Sequence, residues 1–266
     1  MSASRTSPSR ILLTTVLLGT LLLAGCATKP PASDPDALAE YNETNDPLEP
    51  TNRVIYAVNN GLDTVLLRPL AIAYRAVLPD VVRSHIHNVL GNLGMPVQLA
   101  NDILETHPRK AGDSLMRFAI NSTLGVGGIF DAATDMGYPD HDADGGITLA
   151  LWGLPNGPYL FLPVFGPSSP RDAAGTGIDQ AINPFTWVGH GSTDRALGYA
   201  KTGIGALDAR SRVLDDLDKI TSQALDPYAT IRSLYRQHRQ SEIEDARADG
   251  QATVPAWFPA AAEKKQ

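Results

Sequence analysis

Apolar residues recur at helical spacing through much of the chain, in short blocks separated by proline and glycine. Val54, Ile55, Val58, Leu62, Val65 and Leu66 form one such block. Arg68-Pro69 and Leu78-Pro79 are predicted to break this stretch into shorter helices. Val82, Ile86, Val89, Leu90 and Leu93 mark the next helix, and Pro96 and Pro108 stand where two more can start. The segment Pro108–Thr123 is apolar on several faces, so it is expected to be buried or to touch lipid. Asp46-Pro47-Leu48-Glu49 has the form of a capping box, although Pro50 removes a donor and predicts a regular helix only beyond it. Late in the chain, Leu197 to Leu217 and Pro227 to Arg247 fit two amphipathic helices, parted by Asp226-Pro227. The charges of the second (Arg232, Arg236, Arg239, Glu242, Glu244 and Asp245) read as a solvated face.

One stretch departs from helical periodicity. Gly145–Pro170 carries no charged residue and is interrupted by Pro155, Pro158, Pro163, Pro167 and Pro170, which rules out a membrane helix. Ile147–Trp152 and Tyr159–Leu162 read as two short strands, with Pro155-Asn156-Gly157 as the turn between them. The expected fold is thus mostly α, a compact set of short amphipathic helices with one short apolar β-hairpin.

The first 25 residues are not read as fold. Arg5 and Arg10 precede an uncharged apolar run, Ile11 to Leu23, which is short for a membrane span and has the pattern of a secretory signal peptide. It ends in Leu23-Ala24-Gly25-Cys26, similar to a bacterial lipobox. That resemblance makes Cys26, the only cysteine, the lipidated first residue of the mature chain. Ala27 in the next position, where an inner-membrane lipoprotein would carry Asp, implies sorting to the outer membrane. Residues 26–45 are expected to be a lipidated tether, 46–246 the functional domain, and 247–266 a disordered tail.

Composition narrows the chemistry. The 266 residues carry a net charge of −7, which argues against nucleic acid as a partner. A single cysteine excludes a disulfide framework and a thiolate zinc site. No Gly-x-Ser-x-Gly elbow and no His-Glu-x-x-His is present. Ser168-Ser169 sits in a turn between two prolines, and the histidines are scattered; His85 and His87, two apart on a predicted helix, point to different faces. Asp140, Asp142, Asp144 and Gly145 copy the first half of a calcium loop, but Leu151 stands where the bidentate glutamate is needed, so no tight metal site is expected. Gly125, Gly127 and Gly128 allow backbone shapes closed to other residues and form no phosphate loop. No enzyme activity and no cofactor are expected.

Several strings, in order, resemble the MlaA (VacJ) family of phospholipid-binding outer-membrane lipoproteins. They are Asp46-Pro47-Leu48-Glu49-Pro50-Thr51-Asn52-Arg53, Arg68-Pro69, Asn88–Leu93, Asn121–Gly128, Gly157–Pro163 with Phe165–Asp172, and Asp226-Pro227-Tyr228. The resemblance covers about residues 42–240. It implies a mostly helical, ring-like protein in the inner leaflet of the outer membrane. Such a protein removes misplaced phospholipid from the outer leaflet through an amphipathic channel, passes it to a periplasmic lipid carrier, and associates with a trimeric porin. On that resemblance Asn52, Gly125, Gly127 and Gly128 are the candidate channel or hinge residues. Two other readings remain open at this point, a membrane-anchored phospholipid hydrolase and a structural, porin-associated lipoprotein.

Overall fold

The computed structural model describes residues 33–34, 44–187 and 192–248. Cys26, the leader, most of the tether and nearly all of the tail therefore lie outside the described residues. The architecture is mostly helical, with one two-stranded antiparallel pair among the described residues.

Helix α1, Glu49–Leu62, begins earlier than the sequence suggests. The capping box does not form: Leu48 is the N-cap, without a side-chain hydrogen bond, and Pro50 fits the first turn, where its missing N–H has no intrahelical role. Asp46 is drawn away by Tyr228, Arg232 and Asn52. Nor does Arg68-Pro69 break the rod. A π-helical turn, Asp63–Leu67, leads directly into α2, Arg68–Val77, with the Arg68 N–H on the Asp63 carbonyl. The wider turn gives the Pro69 ring room that an α-helical turn would deny it.

Helices α3 (Asp80–Asn92), α4 (Met95–Leu104) and α5 (Pro108–Thr123) follow the proline signals. A glycine turn and the short α6, Ala132–Asp135, come next. The predicted first strand is instead a helix, α7, Gly145–Leu151. Its cause is local: the Asp144 carboxylate accepts from the N–H groups of Gly146 (2.8 Å) and Ile147 (2.9 Å), which caps and nucleates a helix. Ile147 and Ala150, one turn apart, then pack on Ile243 and Ala246. The hairpin lies further on, β1 Leu160–Leu162 against β2 Gly166–Ser168, in register Leu160↔Ser168. Its turn is formed by residues 163–165, with Val164 at φ 70° and Gly166 at φ 84°.

Ser169 caps α8, Pro170–Ile182, and α9 is the short Pro184–Trp187. The predicted Leu197–Leu217 helix is two: α10, Ser192–Arg212, and α11, Leu214–Gln223, parted at Val213. Helix α12, Pro227–Arg247, matches the predicted span and is capped by Asp226.

Contacts between these elements close into a ring. Helix α4 packs on α7, α7 on α12, α12 on α11, α11 on α2, α2 on α10, α10 on α3, α3 on α5, and α5 back on α4. Apolar burial is divided among small clusters, and the largest side chains gather where the hairpin meets α1 and α12: Tyr159, Phe161 and Tyr228, with Tyr56 edge-on at 5.5 Å from Phe161. The crossing of α7 and α8 is backbone-close from both sides. A Cβ on Gly175 of α8 would lie 2.1 Å from the Gly146 nitrogen of α7, and one on Gly145 would lie 2.5 Å from the Gly175 oxygen.

Candidate functional site

The usual segregation of side chains is reversed over much of the molecule. Along α1 and the π turn, Val54, Val58, Leu62, Val65 and Leu66 all face outward, with Val65 80% exposed. Val77, Val81, Ile103, Leu115 and Met116 on the following helices are exposed too. At the hairpin tip Phe165 is 80% exposed. Among the described residues no helix is long and apolar enough to cross a membrane. Exposed apolar surface on this scale marks a face that meets something other than water.

Helix α5 shows the inversion within one element. The sequence leaves open burial or lipid contact for its apolar positions; the buried stripe is Lys110, Ser114, Arg117, Ile120 and Asn121. Arg117 is held by Thr134 Oγ1 at 2.9 Å, the Tyr138 carbonyl and Asp131 at 3.3 Å. Asn121 donates to Asp131 (3.0 Å) and accepts from the Ala133 N–H (2.9 Å). Polar positions spaced three or four apart turn inward because each finds a partner there, while Leu115 and Met116 take the outside.

Helix α12 carries the densest interior charge. Arg239 is buried, not solvated as its sequence context suggests. Its two terminal nitrogens reach Asp144 (2.6 and 2.8 Å), Asp172 (3.3 Å) and Glu242 (2.9 Å). Burial works against the Asp144 carboxylate, but the Arg239 hydrogen bonds and charge, with the two capping N–H groups, hold its carboxyl below the usual aspartate value. Asp172 is likewise opposed by burial and held low by Tyr235, Arg239 and Arg171. Two turns back, Arg232 reaches Asp46 (2.9 Å) and Glu49 (3.2 Å). Only Glu244 and Asp245 of the six charges singled out on this helix are exposed. With Asp144 committed to the α7 cap and to Arg239, and with a helix from Gly145 onward, the half calcium motif does not form a calcium loop.

Asn52 is 2% exposed and works as a clamp. Its amide donates to Asp46 (2.7 Å) and to the Tyr159 carbonyl (3.1 Å), and its oxygen accepts from the Phe161 N–H (3.0 Å). It thereby fixes β1 against α1. The three glycines lie elsewhere, in the turn after α5, and have no partner in common with Asn52. Gly127 and Gly128 have φ of 72° and 92°, and Val126 shares this left-handed conformation at 53°. A Cβ on Gly128 would lie 2.5 Å from that of Asn92, and one on Gly125 would lie 2.3 Å from the Phe130 carbonyl oxygen. Gly127 has open space around it.

Two serine arrangements bear on hydrolysis. Ser168 and His238 both border a cleft of about 300 Å³. Ser168 Oγ donates to the Ser169 carbonyl, however, and His238 Nε2 faces Glu242 at 3.2 Å. Ser114, Asp102 and His141 do converge, a grouping absent from the sequence reading. Ser114 Oγ donates to Asp102 (2.6 Å), and His141 Nε2 reaches the same carboxylate (2.9 Å). The hydroxyl and imidazole also lie 3.5 Å apart, but the shorter contact of each is to the carboxylate and Ser114 is sealed from solvent, whereas an activated serine hands its proton to the imidazole. His85 and His87 have separate partners, the Ile129 carbonyl and Asp208.

Sequence reasoning missed Arg239, Arg117 and the Gly145–Gly175 contact. The row Arg232, Arg236 and Arg239 carried no signal of its own that one member is buried. Gly145-Gly146 in an uncharged segment was a signal for the last.

Residues 44–242 match the sequence model of the MlaA lipoprotein family. An uncharacterized protein of Rickettsia bellii is 36% identical over 203 residues, covering 76% of this chain and 78% of its own length. The intermembrane phospholipid transport system lipoprotein MlaA of Haemophilus influenzae is 32% identical over 238 residues, covering 88% and 90%. The protein of that name from Escherichia coli is 31% identical over 233 residues, covering 86% and 87%. A solved structure, described as the structural basis for maintenance of bacterial outer membrane lipid asymmetry, superposes with a TM-score of 0.65 at 29% identity, covering 74% of this chain and 98% of that one. With its helical ring, its hairpin and its matched residues, the chain belongs to the MlaA lipoprotein family.

Proposed function

We propose that this protein is an outer-membrane lipoprotein, anchored through Cys26, that withdraws mislocalised phospholipid from the outer leaflet and passes it to a periplasmic carrier. The observation that carries this reading is the inversion of polarity: apolar side chains outside, ion pairs and amides within. Moving two acyl chains, about 30 methylenes, through water would cost on the order of 20 kcal/mol. A transfer protein must therefore sit in apolar surroundings yet offer the headgroup a polar path. Irregular backbone at membrane depth is tolerated where protein or water satisfies it, as the glycine turn and the hairpin require here. The names of the Haemophilus and Escherichia relatives support the same reading.

No covalent step is assigned. Ser114, Ser168 and Ser169 are each engaged in hydrogen bonds that hold the fold, which favours transport over hydrolysis. A trimeric porin is the proposed membrane partner, and Gly125, Gly127 and Gly128 form the proposed turn beside the lipid route. Purified full-length protein carrying a photoreactive residue in place of Met116, Gly127 or Phe165 tests this. Cross-linking to co-purified phospholipid is expected. A lipid-free preparation that releases fatty acid from added phospholipid would replace transport with hydrolysis.

A further inference from the structure

The corner between α4 and α5 holds a buried pair that the proposed function does not draw on. Glu105, at the end of α4, has a side chain with no solvent exposure. Its Oε1 accepts from Thr148 Oγ1 of α7 at 3.1 Å. Its Oε2 is 3.3 Å from Nδ1 of His107, two residues on. The two atoms lie close without the alignment of a hydrogen bond, neither has another partner, and both are shut off from water. A buried carboxylate oxygen near a lone pair on nitrogen is costly, whereas a proton between them, after a small rotation of either side chain, satisfies both.

We propose that Glu105 and His107 share one proton, and that losing this proton as pH rises destabilises the α4–α5 corner. The backbone holds the two side chains together: Thr106 between them is at φ 60°, and the His107 N–H returns to the Asp102 carbonyl at 3.0 Å. A threonine in that conformation is strained and needs surrounding contacts to persist. Charged groups around the pair come from each packed element. Asp102 of α4 is bound to Ser114 and His141, Lys110 projects from α5, and Asp144 precedes α7 under Arg239. Asp179 of α8 is fixed by Asn101 and the Gly145 N–H. Burial is the largest influence on Glu105, reinforced by Asp102 and Asp144 and opposed by Thr148 and Lys110; it pushes the carboxyl up to about 7.

A carboxyl raised on folding is more protonated in the native than in the unfolded chain. Its contribution to stability is therefore complete below about 4.5 and is lost as pH rises through about 7. Glu105→Gln mimics the protonated acid: its carbonyl keeps the Thr148 bond and its N–H can donate to Nδ1. The test is thermal unfolding of the full chain in detergent between pH 4.5 and 8.5, wild type against Glu105→Gln. The variant is expected to gain on wild type as pH rises, levelling off above neutrality at a difference on the order of 5 °C. Identical pH profiles would overturn the proposal. A second readout is the carboxyl-carbon resonance of Glu105, assigned by its loss in the Gln variant. Titration near neutrality in wild type, displaced in His107→Ala, supports the shared proton. A carboxyl that is ionised at pH 5, or whose midpoint ignores His107, overturns it.

Discussion

Gly175 and Arg239 show how single residues carry this fold by opposite means. Gly175 contributes the absence of a side chain, since any Cβ there would meet the α7 backbone at 2.1 Å. Gly175→Ala should therefore cost on the order of 3 kcal/mol, because backbone cannot yield as a side-chain tip can. Denaturant titration checks this, against Gly177→Ala, where the added methyl meets nothing within 4 Å and stability should hold or rise. Arg239 contributes charge. Arg239→Met keeps the bulk but leaves Asp144, Asp172 and Glu242 facing one another, with a predicted loss on the order of 3 kcal/mol. The loss should shrink on acidification as Asp144 and Asp172 take up protons, and unfolding at pH 4 and pH 7 measures the difference. Neither role was legible in the sequence beforehand. Glycine spacing does not reveal which helix will cross it, and an arginine row beside an apolar stripe reads as solvated until acidic partners more than sixty residues away in the chain are brought to it.

At the level of elements, helices announced by proline starts were legible: α4, α5 and α12 lie where the sequence places them. The missed elements failed for local reasons. Ile147–Trp152 is β-branched and apolar enough to read as a strand, but one capping aspartate and two glycines that admit α8 make it a helix. The π turn before Pro69 hides a proline inside a continuous rod. Orientation was the larger gap. Helical periodicity finds an apolar stripe without saying which way it faces, and on α1 the stripe faces out. That orientation makes a prediction. Val58→Asp with Val65→Asp should leave unfolding unchanged within about 0.5 kcal/mol, since both sites are exposed. The double variant, made in a chain lacking the acyl anchor, should bind phospholipid vesicles more weakly than the unsubstituted chain. Equal vesicle binding in a flotation assay would place the apolar contact elsewhere.

Across the whole molecule, the ring of helix contacts and the inverted polarity belong to one design: a protein whose apolar outside suits lipid and whose interior is wired with ion pairs. The mostly helical character was legible in the apolar periodicity and the ring-like form followed from family resemblance, while the interior wiring needed the structure. The central claim is that this protein removes phospholipid from the outer leaflet without chemical change. The most direct test is surface-restricted enzymatic labelling of outer-leaflet phospholipid in a deletion strain complemented with variants. Deletion should raise that phospholipid, and wild type should restore it. Ser168→Ala with Ser169→Ala should restore it if folded, and Cys26→Ser, without its anchor, should not. An unchanged level on deletion, or failure of the folded serine variant alone, would contradict the account.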